Sequence, residues 1–251
     1  MATLAPIPAR ASANVAAEQA LKRAILDGRI AAGEKLPPER ELAVTLGVSR
    51  LTLRAALATL TAAGLIAVRH GSGYVVRDFR RTGGSDLLDG IVELAGESGN
   101  LVETAAELLR VRRHLAGAVL EALAERPPRA PARRAVLAAI DRFAAACATG
   151  VGELAAADLG IVRALLDATG SEVLRVCLNP IIAVVNGSAA LRDALYAEPA
   201  TNLAGWRALA AWIERPVAAA VPILVAALAA HDASTLARLA RLHKAQRRRA
   251  S

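Results

Sequence analysis

The feature that most constrains the fold is a five-residue turn, Leu46-Gly47-Val48-Ser49-Arg50, between two short helical patterns. Glycine accepts the left-handed backbone conformation that a sharp bend requires. Val48 can fill the angle between the two helices, and Ser49 can cap the second helix through its hydroxyl group. The turn therefore predicts two packed helices, a helix-turn-helix, rather than one continuous helix.

The segment from Arg50 to Ala63 has the spacing of an amphipathic helix that ends before Gly64. Its apolar side is formed by Leu53, Ala56, Leu57 and Leu60. The residues that point outward are Leu51, Ala55 and Ala58. Arg50 and Arg54 lie one turn apart beside the apolar side. Because arginine can donate two hydrogen bonds to O6 and N7 of guanine, this helix is predicted to read the major groove of DNA.

Further elements surround these two helices. Apolar residues recur at helical spacing from Val15 to Leu26, and a second helix begins after Pro38 and runs through Ala43. Two β-rich runs, Leu65 to Arg69 and Tyr74 to Arg77, flank a short loop that contains glycine, which predicts a hairpin. Three helices followed by a small hairpin make a winged helix-turn-helix.

The fold class predicted from the whole chain is mainly α, with an N-terminal winged helix-turn-helix and a C-terminal all-α helical bundle. No convincing strand pattern follows Arg77, and glycine and proline breaks separate one helical segment from the next. We predict a flexible arm over 1–14, the winged helix-turn-helix over 15–78, a linker over 79–86 and the bundle over 87–251.

The charge balance favours an anionic partner, because 31 Lys and Arg residues against 23 Asp and Glu residues give a formal net charge of +8. Nucleic acid fits this balance, and so does an anionic membrane surface. The N-terminus lacks a signal-peptide pattern. The most apolar stretch, from Val217 to Ala230, is shorter than the ~20 residues of a membrane span, so we expect a buried helix bent at Pro222. These features predict a cytoplasmic protein without a membrane partner.

Three alternatives remain open on the residues alone. The two arginines can be partners in salt bridges on an ordinary basic helix surface. The protein can coat DNA without sequence preference, or the bundle can hold a small-molecule enzyme. The enzyme alternative has little support, because the sequence shows no Ser-His-Asp, CxxC or phosphate-binding glycine pattern and only 4 His residues.

The N-terminal region resembles the DNA-binding domain of the GntR family. The resemblance rests on Gly33 to Ala43, Leu46 to Leu57, Leu60, Gly64-Leu65 and His70 to Gly73. It implies a homodimeric regulator that binds double-stranded operator DNA at a short palindromic sequence. By resemblance, the DNA contacts are Arg40, Arg50 and Arg54, supported by Ser49, Thr52, His70 and Gly71. Leu51 departs from the small or hydroxyl residue that is common there.

The all-helical second domain resembles the FadR-type branch of that family, which implies a small-molecule effector, either an acyl-CoA or another organic acid. By this resemblance, the effector-binding residues are Arg112, Arg113, Asp158 and His243. Many FadR-type domains bind a metal through one Asp and three His residues. Val162 and Val221 stand where two of those His residues are expected, so we predict no metal and no cofactor. Asp158 and His243 can instead form a buried hydrogen-bonded pair, or be exposed individually.

Overall fold

The computed structural model describes residues 11–69, 71 and 73–250, and for 11–12 and 246–250 it describes the backbone alone. The chain divides into two compact units, Met1–Leu94 and Ala95–Ser251. His70 and Ser72 at the tip of the predicted wing lie outside the described residues, as does most of the predicted flexible arm over 1–14. Each unit is described here by itself.

The first unit consists of helices around one hairpin. Its helices are α1 (Ala11–Leu26), α2 (Glu39–Thr45), α3 (Arg50–Ala62), the short α4 (Phe79–Thr82) and α5 (Leu88–Ser98), which runs past the division at Leu94. Strands β1 (Ile66–Arg69) and β2 (Gly73–Val76) pair antiparallel, with Ile66 opposite Val76. Both α1 and α2 pack on α3.

The start of α3 forms as the sequence predicts. Gly47 adopts a φ of +65°, and the Val48 amide donates to the carbonyl oxygen of Ala43 at 3.0 Å, which closes the end of α2. The Ser49 hydroxyl then accepts a hydrogen bond from the Thr52 amide at 3.1 Å. This bond satisfies one of the amides that an α-helix leaves without an internal partner. The turn therefore ends one helix and begins the next.

The core of the first unit lies under α3. Leu53, Ala56, Leu57 and Leu60 are all 0% exposed. The three leucines pack with apolar residues of the other elements, among them Leu21, Ile25, Leu42, Ile66 and Val76. The predicted apolar side of α3 is therefore confirmed, and so are the helices and the hairpin, with bounds that differ by a few residues. The largest difference is at α1, which begins at Ala11 rather than at Val15.

Residues 79–86, which the sequence predicts as a linker, contain α4 and a 3-10 turn over Ser85–Leu87. The Asp78 side chain caps α4 by accepting a hydrogen bond from the Arg80 amide. The Thr82 hydroxyl donates to the carbonyl oxygen of Gly64 at 2.8 Å, and Leu87 belongs to the core of the first unit. Because glycines interrupt the helical pattern of this segment, its sequence did not predict these contacts.

The second unit is an all-α bundle, which confirms the predicted fold class. Its helices are α6 (Leu101–Glu125), α7 (Ala130–Ala146), α8 (Val151–Thr169), α9 (Glu172–Gly187), α10 (Ala189–Leu195), α11 (Pro199–Ile213) and α12 (Val221–Ala250). The long helices α6 and α12 pack against each other, and α7 packs against both α8 and α11. Its core is aliphatic and includes Val136, Phe143, Ile161, Leu191 and Ile213.

The expectation of a buried helix bent at Pro222 is wrong. Pro222 lies in the first turn of α12, where its missing amide hydrogen costs no internal hydrogen bond and the helix is not forced to bend. Ile223 is 70% exposed. By length and composition, residues Ala218–Ala245 would suffice for one membrane span. The centre of this segment carries the ion-paired Asp232, which is 2% exposed, so we assign α12 to the bundle.

A pair of leucine substitutions tests the orientation of α3. Leu57→Ala removes a fully buried side chain and should destabilise the first unit by about 2–5 kcal/mol. Leu51→Ala is the matched control, because Leu51 is 79% exposed on the same helix and its loss should change stability by less than about 0.5 kcal/mol. Hydrogen exchange of peptides from α1 and α3 measures both effects. Equal loss of protection in the two variants would contradict this orientation.

Candidate nucleic-acid interface and buried polar cluster

The outward face of α3 is the candidate nucleic-acid interface. Leu51, Ala55 and Ala58 are exposed, as predicted, and so are Arg50 and Arg54. Of the three residues beside these arginines only Leu51 has a large side chain, so most of the outward face is formed by small residues. A helix with such a face can enter the major groove deeply enough for arginine to reach the edges of the bases.

The arginines of this face differ in their surroundings. Arg54 Nε donates to Glu39 Oε2 at 2.7 Å, and the hydrogen bond with the Glu39 carboxylate raises the pKa of Arg54. Within the described part of the chain, Arg50 and Arg40 make no hydrogen bond or ion pair, and both are exposed. The salt-bridge alternative therefore holds for Arg54 and fails for Arg50.

Sequence reasoning missed Glu39, the first residue of α2. Its carboxylate meets Arg54 because the bend at Gly47 brings the first turn of α2 close to the first turn of α3. The two residues are 15 positions apart, so no spacing rule for a single helix pairs them. The only available signal was the helix-turn-helix geometry itself.

The hydroxyl groups at the start of α3 contact each other. Ser49 Oγ and Thr52 Oγ1 are 2.8 Å apart, and the Ser49 side chain is exposed while that of Thr52 is half-buried. Both residues therefore stabilise the N-terminus of the helix. That terminus carries partial positive charge from the aligned peptide dipoles, which favours a nearby phosphate.

The wing is described in part. Gly71 is exposed with a φ of +72°, a conformation that favours glycine. Its neighbour His70, predicted as a supporting DNA contact, lies outside the described residues. Arg69 and Val68 at the end of β1 are exposed, with Val68 at 63%. Among the described residues of the wing, Arg69 therefore places a cation beside the loop, and a Cβ at Gly71 would meet no atom within 4 Å.

A buried polar cluster lies between α6 and α12 in the second unit. Arg112 Nη2 and Arg113 Nη1 each donate to a different carboxylate oxygen of Asp232, both at 2.6 Å. The Asp232 side chain is 3% exposed, so the paired charges are strongly coupled. The cluster brings together Arg112 and Arg113, two of the predicted effector-binding residues, and both are already engaged by Asp232.

Asp158 and His243, the other predicted effector-binding residues, do not pair with each other. Asp158 Oδ1 accepts a hydrogen bond from Trp206 Nε1 at 2.8 Å. Burial raises the pKa of Asp158, and hydrogen bonds from Trp206 and Tyr196 oppose that rise. Among the described residues, His243 Nε2 is buried without a hydrogen-bond partner.

The donor set around Asp158 does not fit the metal that many FadR-type domains hold. No group of three His, Cys, Asp or Glu side chains suited to a metal ion occurs in the described residues. Val162 and Val221 occupy the positions at which two histidine ligands are expected, and their aliphatic side chains have no atom that can bind a metal. Val221 is buried. The Trp206 N–H already occupies one oxygen of Asp158.

His231 is a further buried polar group of α12. Asn202 Nδ2 and His231 Nε2 lie 3.3 Å apart, and the amide can donate only if that ring nitrogen carries no proton. Burial lowers the pKa of His231, and the charge of Arg112 lowers it further, while Asp232 opposes this. The imidazole is therefore held neutral.

In the first unit, a helix with a solvent-exposed face follows a helix-turn-helix bend and precedes a two-stranded wing. This arrangement defines the unit as a winged helix-turn-helix domain. Residues 14–76 match the family described as "Bacterial regulatory proteins, gntR family". The chain therefore carries a GntR-family helix-turn-helix domain, as its sequence predicts.

Curated relatives are named as transcriptional regulators. The chain is 39% identical over 153 residues to the uncharacterized HTH-type transcriptional regulator Rv0494 of Mycobacterium tuberculosis. The matched segment covers 60% of this chain and 59% of that protein. It is 32% identical over 164 residues to the fatty acid metabolism regulator protein of Enterobacter sp., which covers 65% of each. It is 44% identical over 102 residues to the HTH-type transcriptional regulator Mce2R of M. tuberculosis, which covers 41% of this chain and 42% of that protein.

The chain spans between 42% and 65% of the lengths of these relatives. One solved structure, described as "Lar controls the expression of the Listeria monocytogenes agr system and mediates virulence", covers 96% of this chain and all of its own, with a TM-score of 0.57. Its sequence identity is 16%, so this likeness shows the fold alone.

The neutral state of His231 makes the bundle sensitive to acid. The folded pKa lies below the ordinary value of 6.5, so the unfolded chain binds more protons and stability is lost as the pH falls below about 6.5. His231→Gln should reduce the loss of melting temperature between pH 7 and pH 5. Trp206 and Trp212 both lie in the second unit, so tryptophan fluorescence reports on it.

The control for this titration is His114→Gln, which changes an exposed histidine of α6 and should keep the wild-type response to acid. If His231→Gln loses as much melting temperature as the wild type over the same pH range, the neutral His231 is not the group that acid disturbs.

Proposed function

We propose that the protein is a sequence-specific DNA-binding transcriptional regulator whose operator binding responds to a small-molecule effector. The observation that carries the proposal is the outward face of α3, where the exposed Arg50 and Arg54 lie one turn apart beside the small residues Ala55 and Ala58. The opposite face is completely buried, so α3 cannot turn these arginines away from a bound duplex without losing the core.

The chemistry of the groove supports this assignment. In this proposal Arg50 and Arg54 donate to the base edges, and Arg40 on α2 contacts backbone phosphate. Ser49, Thr52, His70 and Gly71 are the supporting contacts in this proposal. Double-stranded operator DNA is the partner, and a homodimer would place two copies of α3 on the half-sites of a palindrome. We expect the protein to act in the cytoplasm as a regulator rather than as an enzyme, without a membrane partner.

The effector is proposed to bind near the buried polar cluster. Within the described residues, Arg112 Nε, Asn202 Oδ1 and His243 Nε2 are buried without hydrogen-bond partners. A polar ligand group could satisfy them, which would offset the cost of burying unpaired polar atoms. Arg112, Arg113, Asp158 and His243 remain the proposed effector-binding residues.

An acyl-CoA is one candidate effector, and another organic acid is the second. One of the relatives is named a fatty acid metabolism regulator protein, which favours the first. In either case an anionic ligand must compete with Asp232 for Arg112 and Arg113. This competition would give a route by which effector binding is coupled to operator binding, because releasing Asp232 would loosen the contact between α6 and α12.

Arg50→Ala tests the DNA-reading role of α3. The substitution should weaken binding to the cognate duplex by about 1–3 kcal/mol, because the lost side chain recognises a base edge. Thermal stability should barely change, since Arg50 is exposed and makes no hydrogen bond or ion pair within the described residues. Fluorescence anisotropy with a labelled duplex, selected from a random pool, measures the affinity.

A random duplex of equal length is the comparison for this measurement. The wild-type protein should prefer the cognate duplex by ~10³ or more, which separates a regulator from a protein that coats DNA. An equal loss of affinity on both duplexes in Arg50→Ala would place Arg50 on the phosphates instead of the bases.

Calorimetry with long-chain acyl-CoA tests the effector. We expect measurable heat on binding of acyl-CoA. We also expect the affinity for the cognate duplex to fall about tenfold, which corresponds to a coupling free energy of about 1.4 kcal/mol between effector and DNA binding. Free CoA and a short-chain carboxylate serve as comparison ligands, because they separate the contribution of the acyl chain from that of the anion. Absence of heat with acyl-CoA, together with unchanged DNA binding, would remove this candidate.

A further inference from the structure

We infer that Glu39 is a positioning residue that sets the base specificity of Arg54. This inference rests on the proposed DNA-binding function and extends it to a residue that does not itself read a base. Arg54 Nε donates to Glu39 Oε2 at 2.7 Å, and the Glu39 side chain is 29% exposed while that of Arg54 is 67% exposed. The carboxylate is therefore held nearer to the protein and the guanidinium nearer to solvent.

The geometry of the contact leaves the donors of Arg54 that DNA requires. Guanidinium has five N–H donors in a planar fork, and Arg54 contacts Glu39 through Nε. The Nη groups extend beyond Nε, toward the exposed end of the side chain. A fork that is already held in one orientation loses less rotamer freedom when it binds guanine.

Arg54 is held from α2, because its Nε donates to Glu39 Oε2 at 2.7 Å. Arg50, four residues earlier, has no such support within the described residues. The two arginines should consequently differ, with Arg54 the more narrowly oriented.

The negative charge of Glu39 has a separate effect on affinity. A carboxylate close to a DNA surface is repelled by phosphates, and this repulsion is the same for every base sequence. Correct alignment of Arg54, by contrast, helps only a duplex with the matching base. Glu39 thus weakens binding to every duplex through its charge and strengthens binding to the cognate duplex through Arg54, and only the second effect changes the ratio of cognate to random affinity.

Two isosteric substitutions separate these effects from a simple change of charge. Glu39→Gln and Glu41→Gln each remove one negative charge from the first turn of α2. Glu41 is exposed, and within the described residues its carboxylate holds no cation, so it is the matched control. Both variants should bind random duplex slightly more tightly than the wild type. Only Glu39→Gln should lower the ratio of cognate to random affinity, by about tenfold.

Two further variants test whether Glu39 acts through Arg54. Glu39→Asp keeps the charge but shortens the side chain by one methylene, so it should also lower the ratio. Adding Glu39→Gln to Arg54→Ala should cause no further loss, because the group that Glu39 positions is gone. Melting temperatures and the far-ultraviolet circular dichroism of each variant confirm that the domain is folded.

The results that overturn the inference are distinct from those that overturn the proposed function. A wild-type ratio after Glu39→Gln, an equal fall after Glu41→Gln, or a full additional loss in the Arg54→Ala background would each remove the role of Glu39. In those cases the preference of the wild type for its cognate duplex would still stand. A wild-type protein that binds cognate and random duplex equally would overturn both.

Discussion

The burial of one face of α3 is the constraint on which the first unit depends. Leu53, Ala56, Leu57 and Leu60 are completely removed from solvent, and rotation of the helix about its axis would expose them. Burying a leucine side chain contributes roughly 1.5–3 kcal/mol, so the three leucines together fix the orientation of the helix. The direction in which Arg50 and Arg54 point is therefore set by this packing. In the proposed function, the buried side of α3 thus determines how the exposed side faces DNA.

Polar contacts adjust the positions of side chains on helices whose orientation is set by apolar packing. Glu39 holds Arg54 at the exposed surface, where solvent screens the pair and its contribution to stability is small. In the second unit, Asp232 holds Arg112 and Arg113 away from solvent, where unpairing would be costly. The first contact is therefore suited to orient a side chain, and the second is suited to join two helices.

The sequence could predict several elements whose cause is local. The turn at Gly47, the cap at Ser49 and the apolar spacing of α3 are encoded within a few residues, and the structure confirms them. Contacts between distant residues could not be predicted in the same way. Arg112 and Asp232 are 120 positions apart, and their pairing depends on how α6 meets α12. The exposed Ile223 was also missed, because an apolar run does not show which of its sides a neighbouring helix covers.

Selection of bound duplexes from a random pool by the full chain is the most direct test of the central claim. If α3 presents Arg50 and Arg54 to the major groove, one short sequence should be enriched, with guanine fixed at the positions that the two side chains reach. The proposed homodimer would enrich that sequence as an inverted repeat. A pool that shows no enriched sequence after repeated rounds, although the protein retains DNA, would contradict the account.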